Sequence, residues 1–131
     1  YDKFITANEP LTENELNGKN LFFSNKTNCS LCHGSILFSD FSFHNNGLYS
    51  NYSDQGKYRL TQDSVDIGVF KVPTLRNITF TAPYMHDGSL QTLEQVIDFY
   101  ADAGRNITTG KHRGDGRENN FLTHLHQKNH R

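Results

Sequence analysis

The sequence predicts a mainly α fold with long loops, and three observations carry that prediction. Residues 12–23 and 92–104 each open with a capping box and read as helices. Residues from about Ser39 to Val72 are rich in Gly, Asn, Asp and Ser, the composition of loops with short helical turns. Between the first helix and those loops stands Cys29-Ser30-Leu31-Cys32-His33, which holds the only two cysteines of the 131 residues. Cys-x-x-Cys-His is the attachment pattern of a c-type haem. Two thiols at that spacing can add to the two vinyl groups of one porphyrin, and the adjacent histidine reaches the iron as its proximal ligand. The expected architecture is therefore a cytochrome c-like domain, its loops wrapped around one covalently bound haem.

The first helix begins at Thr12, the N-cap, with Glu15 placed to reach back to it. It runs to about Phe23 and delivers the chain to the cysteine motif. The second begins at Thr92 with Gln95 three residues on. Leu93, Val96, Ile97 and Tyr100 recur at i, i+3, i+4 and i+7, which sets Tyr100 on an inward-facing apolar stripe. Gly104 is the expected stop. Between the helices, His44-Asn45-Asn46-Gly47 and Asp54-Gln55-Gly56 are turn patterns. Pro73 keeps 72–75 out of a helix interior, and 81–88 is a further turn-rich stretch. The tail from Thr108 is polar, basic and His-rich. Five Asn-x-Ser/Thr sequons follow from the abundance of Asn.

Other uses of the thiol pair fit less well. A thioredoxin-like centre needs a strand before it, and residues 24–28 are polar. Structural zinc needs four ligands. Two of the seven histidines could complete such a set, but the spacing of His124 and His126 is not a usual partner pattern. A disulfide across so short a loop stabilises little.

Composition fits one small domain with a thin core: 34% of residues are hydrophobic, with ten Phe, six Tyr and no Trp. A buried haem would supply the missing apolar surface. A net charge of −1 gives no pull toward nucleic acid or an anionic membrane. No apolar run approaches the ~18 residues of a membrane span. Covalent haem attachment normally occurs outside the cytoplasm, so a periplasmic location is expected, with a signal peptide removed or left out of this sequence.

Ligand chemistry makes Met85 the first candidate for the sixth iron position, because a thioether raises the haem potential for electron transfer. Its ordinary alternative is a core methionine. His86, His44 and Tyr100 compete; tyrosinate would lower the potential, and an open position would suit peroxide chemistry.

Several separated motifs then agree in order and spacing. They are the haem motif, residues 43–48 (FHNNGL), 70–77 (FKVPTLRN), 81–90 (TAPYMHDGSL), then Thr92-Leu93-Glu94 and Phe99-Tyr100. From Leu11 to about Gly116 the chain resembles the C-terminal haem domain of the bacterial di-haem cytochrome c peroxidase and MauG family. That resemblance implies an electron-transfer haem domain, partnered in the same parent protein by an N-terminal domain with a peroxide-reacting haem. A small electron-donor protein is the other implied partner. The parent is expected to be a peroxidase-type oxidoreductase, and this chain to carry electrons without performing the peroxide chemistry.

The resemblance also implies roles. In the family the distal ligand lies fourteen positions past the histidine of Pro-Tyr-x-His-Asp-Gly, methionine in the peroxidases and tyrosine in MauG. Counting from His86 gives Tyr100, which ranks ahead of Met85 as iron ligand. Backbone carbonyls at Thr81 and Pro83 correspond to part of a calcium site shared between the two domains. Arg76 is a candidate for a haem propionate or for fixing the loop near the iron, the plain alternative being a surface salt bridge. Lys71 is a weaker candidate.

The sequence departs from the family in carrying one haem motif and in lacking the usual terminal helix, since Phe121-Leu122 leads into His-rich sequence. A single domain spanning 1–131 is expected, cut from a longer protein, with 117–131 a truncated or mobile tail. The alternative is a stand-alone mono-haem cytochrome c electron carrier.

Overall fold

The structure is a computed structural model and describes residues 1–49 and 51–108. The expectations for 117–131, Phe121, Leu122, His124 and His126 lie outside the described residues. Five α-helices occur among the described residues: α1 Asp2–Ala7, α2 Glu13–Phe22, α3 Ser30–His33, α4 Tyr58–Thr61 and α5 Leu93–Thr108. Two 3₁₀ turns, Ser64–Asp66 and Ile78–Phe80, and a two-stranded antiparallel ribbon, β1 Phe43–His44 with β2 Phe70–Lys71, complete the fold.

The two long helices start where their caps place them. Thr12 Oγ1 accepts from the Glu15 amide at 3.4 Å while Glu15 Oε2 accepts from the Thr12 amide at 2.8 Å, so two orphan donors are satisfied reciprocally. Gln95 and Thr92 repeat the exchange at α5, each at 3.3 Å. The expected stop at Gly104 does not occur, and α5 continues to Thr108. Glycine ends a helix only where the backbone turns left-handed; in the interior it costs about 1 kcal/mol relative to Ala, too little to break a helix that is otherwise propagating. The sequence reading has no element before Leu11, so α1 is an addition.

The middle is loop and short turn, as its composition predicts, with the short ribbon as an unpredicted feature. Pairing Phe43 with Lys71 and His44 with Phe70 closes the ends of the loop region. Residues 72–76 then run beside 36–39, the segment following the cysteine motif. The Ser39 hydroxyl donates to the Val72 carbonyl at 2.8 Å, the Thr74 hydroxyl to Leu37 and the Arg76 guanidinium to Ile36. Ser39 is almost wholly buried, and it also accepts from the Phe41 amide at 3.0 Å, so its hydroxyl is satisfied both ways.

The apolar core among the described residues is small: Leu48, Tyr52, Val69 and Val72. Gly68, at φ +72°, lies against this core; a Cβ there would sit 2.5 Å from the Tyr52 ring. Close by, buried Asp66 accepts from Lys57 Nζ at 2.9 Å and from the Thr61 hydroxyl at 2.7 Å. The Lys57 bond, then the Thr61 bond, hold its carboxyl below the ordinary value. A carboxylate whose folded pKa is depressed contributes stability above its unfolded value, near ~3.9, and loses that contribution as pH falls through the folded value. Asp66→Asn is therefore expected to lower stability at neutral pH and to flatten the acid limb of the unfolding curve, read by circular dichroism against pH.

Candidate haem site

The cysteine motif opens a single helical turn. Cys29 precedes α3, and the His33 amide donates back to the Cys29 carbonyl at 3.0 Å. One turn of helix sets Cys29, Cys32 and His33 at i, i+3 and i+4, on one face. Both thiols are free and half-buried. Burial first, then the nearby charges of Asp40 and Cys29, raise the Cys32 pKa and favour its protonated form.

His33 Nδ1 lies 2.7 Å from the Phe38 carbonyl oxygen. A carbonyl can only accept, so Nδ1 carries a proton, and in the neutral ring that leaves the Nε2 lone pair available. A bond of this kind fixes the tautomer of imidazoles that bind metals. Phe38 is itself held tightly. Its φ is +51°, Tyr1 meets its ring edge-on at 5.2 Å, Phe22 does so at 5.9 Å, and Arg76 Cζ lies 5.6 Å from the ring centroid.

The two leading candidates for the sixth position come together. Asn46 Nδ2 lies 3.5 Å from Tyr100 Oη and 3.5 Å from Met85 Sδ. Tyr100 is 45% exposed as a residue, and its hydroxyl lies within reach of the Asn46 amide. Burial chiefly raises its pKa, the Asn46 bond opposes this, and the negative charge of Cys32 and Cys29 adds to it. The apolar stripe of α5 carries little protein cover: Leu93 and Val96 are half-buried, and Ile97 is 67% exposed. Two half-buried thiols, an imidazole whose Nδ1 is held by Phe38, a phenol reached by Asn46 and an uncovered apolar stripe fit a covalently attached haem.

The remaining candidates are otherwise engaged. His86 stacks on Phe70 at 3.9 Å between ring centroids, with Tyr49 and Tyr52 also close. His44 Nε2 lies 2.7 Å from the Ser42 hydroxyl. Ligand atoms of Cys32, Asp40 and His44 come within 4.8 Å of one another, a grouping the sequence reading missed because its spacing matches no metal motif. Three donors fall short of the four of structural zinc. Lys71 Nζ sits 4.7 Å over the Phe41 ring and donates to the Val72 carbonyl. Thr81 and Pro83 lie on an exposed turn, and among the described residues their carbonyls accept no hydrogen bond.

Arg76 Nη1 donates to both carboxylate oxygens of Asp2, at 2.8 and 2.7 Å, while Nε and Nη2 donate to the Ile36 carbonyl at 2.9 and 2.6 Å. It therefore makes a salt bridge and braces the loop after the motif. A cavity of about 300 Å³ lies beside it, lined also by Tyr1, Phe38, Leu75 and Asn77. Arg76→Ala is expected to detach α1, with faster amide exchange in residues 2–7 and at 36–38 and little change in α5.

No family model matches the chain. A MauG-like protein associated with microbial copper homeostasis is similar in structure, with a TM-score of 0.77 and 44% identity over 89% of this chain and 41% of that one. The fold class is therefore that of the MauG-like proteins. Two curated relatives are each 37% identical. The cytochrome c551 peroxidase of Nitrosomonas europaea matches 75% of this chain and 30% of its own length, and MauG of Methylophilus methylotrophus matches 76% and 30%. The chain belongs to the bacterial di-haem cytochrome c peroxidase/MauG family. It spans about a third of the length of the curated relatives it matches. No helix among the described residues is long and apolar enough to cross a membrane.

Proposed function

We propose that this chain is the electron-transfer c-type haem domain of a di-haem cytochrome c peroxidase or MauG-like oxidase. It would pass electrons to or from a peroxide-reacting haem in an N-terminal domain and receive them from a small donor protein. The observation that carries this reading is the pairing of the thiol motif with a proximal imidazole whose Nδ1 is committed to Phe38. Bound haem supplies reversible one-electron chemistry at iron. Cys29 and Cys32 would anchor the porphyrin, and His33 Nε2 would hold the iron. Tyr100, with Met85 as the alternative, would hold the opposite face. Arg76 would meet a propionate only by sharing its donors with Asp2. The carbonyls of Thr81 and Pro83 would supply part of a calcium site, with further oxygen ligands from the partner domain. A periplasmic location follows from covalent haem attachment.

The test is kinetic. The haem-loaded chain is expected to exchange electrons rapidly with a small redox protein and to turn over hydrogen peroxide slowly. Rapid peroxide turnover by the chain alone would overturn the assignment. A stand-alone mono-haem carrier is the second reading, because Cys29, Cys32 and His33 would serve it equally. A second such motif upstream in the parent gene decides between the two.

A further inference from the structure

Tyr49 and Asp87 have no part in holding the iron. Tyr49 is half-buried, and its hydroxyl donates to Asp87 Oδ2. Asp87 Oδ1 accepts from the Ser89 amide at 3.0 Å. Around Tyr49 the aromatic rings are continuous. Tyr52 lies edge-on at 5.8 Å and His86 edge-on at 6.0 Å, while Phe70 stacks on the far side of the cluster against His86.

The loop carrying Tyr49 is tied twice to the turn carrying Asp87. Tyr49 meets Asp87, and three residues earlier Asn46 meets Met85. Asn46 also reaches Tyr100, so the loop carrying Tyr49 touches the candidate distal tyrosine as well. The hydrogen-bond acceptor of Tyr49 sets it apart. The Tyr52 hydroxyl donates to the amide oxygen of Asn45 at 2.7 Å, and that of Tyr84 to the Ile78 carbonyl at 2.9 Å. Those acceptors are neutral and weakly basic. A carboxylate can take a proton.

We propose that Tyr49 is a redox-active tyrosine with Asp87 as its proton acceptor. One electron leaves the phenol for a one-electron oxidant. The O–H bond breaks, and its proton passes along the existing hydrogen bond to Asp87 Oδ2. The products are a neutral phenoxyl radical, a carboxylic acid and the reduced oxidant. Return of one electron from a donor draws the proton back and restores both groups. Ferric iron of an electron-transfer haem is too weak an oxidant for a phenol, so the natural oxidant would be the peroxide-oxidised centre of the partner domain, which rests on the proposed function; the chemistry of the Tyr49–Asp87 pair does not.

The experiment therefore supplies its own oxidant, a photogenerated ruthenium(III) polypyridyl complex, to the full chain expressed with haem-attachment machinery. Transient absorption and freeze-quenched high-field electron paramagnetic resonance follow the products. A tyrosyl radical is expected whose oxygen is hydrogen-bonded to an exchangeable proton, with a hyperfine coupling that disappears in D2O. Tyr49→Phe removes that signal. Asp87→Asn slows its formation by about tenfold, equivalent to ~1.4 kcal/mol of barrier. A full signal in Tyr49→Phe, an unchanged rate in Asp87→Asn, or a wild-type radical without the exchangeable coupling would each overturn the proposal. If a variant fails to fold, the wild-type coupling decides alone. A colourless preparation that still forms the radical defeats the haem reading and leaves this one standing; a haem-loaded chain that forms none does the reverse.

Discussion

Cys29→Ser/Cys32→Ser yields protein with no covalently bound haem, the largest single effect expected for this chain. A serine hydroxyl does not add to a porphyrin vinyl group under the conditions in which a thiol does, so both tethers are lost together. The single variants keep one thioether each, and their haem content falls without vanishing. The measurement is the mass of the intact chain before and after acid–acetone extraction. Wild type keeps its added mass and colour through extraction, and the double variant loses both. Wild-type protein stripped by the same treatment would sink the haem reading outright and return the thiols to metal or dithiol chemistry. On the haem reading, His33→Ala would separate anchoring from ligation: the thioethers would survive extraction while the iron lost its proximal nitrogen.

The second large effect lies at Tyr100. If its phenolate binds iron, it stabilises the ferric state, and Tyr100→Phe raises the reduction potential. A rise of ~120 mV corresponds to a hundredfold change in the one-electron equilibrium. Met85→Leu should leave the potential nearly unchanged. The reverse pattern, a large fall in Met85→Leu with loss of the near-infrared methionine-to-iron band, would assign the position to the thioether. Proton linkage adds a second readout. Burial raises the phenol pKa, with the Asn46 bond opposing it, so the free side chain is protonated at neutral pH. Binding as phenolate therefore releases a proton, and ligation weakens as pH falls. Resonance Raman of the ferric protein across an acid titration shows whether the tyrosinate modes fade in that direction.

Local chemistry made parts of this molecule readable from its sequence. Thr12 with Glu15 and Thr92 with Gln95 announced the two long helices because a capping box is completed within four residues. The cysteine motif was readable for the same reason: one helical turn puts all three groups on one face. The misreadings have equally local causes. α1 has no side-chain cap at Tyr1 to announce it. Strands of two residues are too short to show alternation. Gly104 was read as a stop, although a glycine does not by itself end a helix.

What stayed hidden depends on partners distant in the chain. Ser39 bonds to a carbonyl 33 residues away and Arg76 to one 40 residues away. The motif at 72–76 was noticed as a string, but its work of bracing the loop behind the proximal histidine exists only in three dimensions. The contacts of Asn46 with Met85 and Tyr100 are similar. They bring two rival ligands to one amide, which counting positions along the chain could rank but not juxtapose.

Phe38 has a further consequence. Its carbonyl receives the proton-bearing nitrogen of His33, while its ring is gripped by Tyr1 and by the arginine that clasps Asp2. The amino-terminal end of the chain is thereby linked to the His33 imidazole. A pull on residues 1–7 would lengthen or tilt the Nδ1–H···O bond and, with His33 on an iron, would change how strongly that ring donates to it. A contact at that end would then be felt at the metal without entering its pocket.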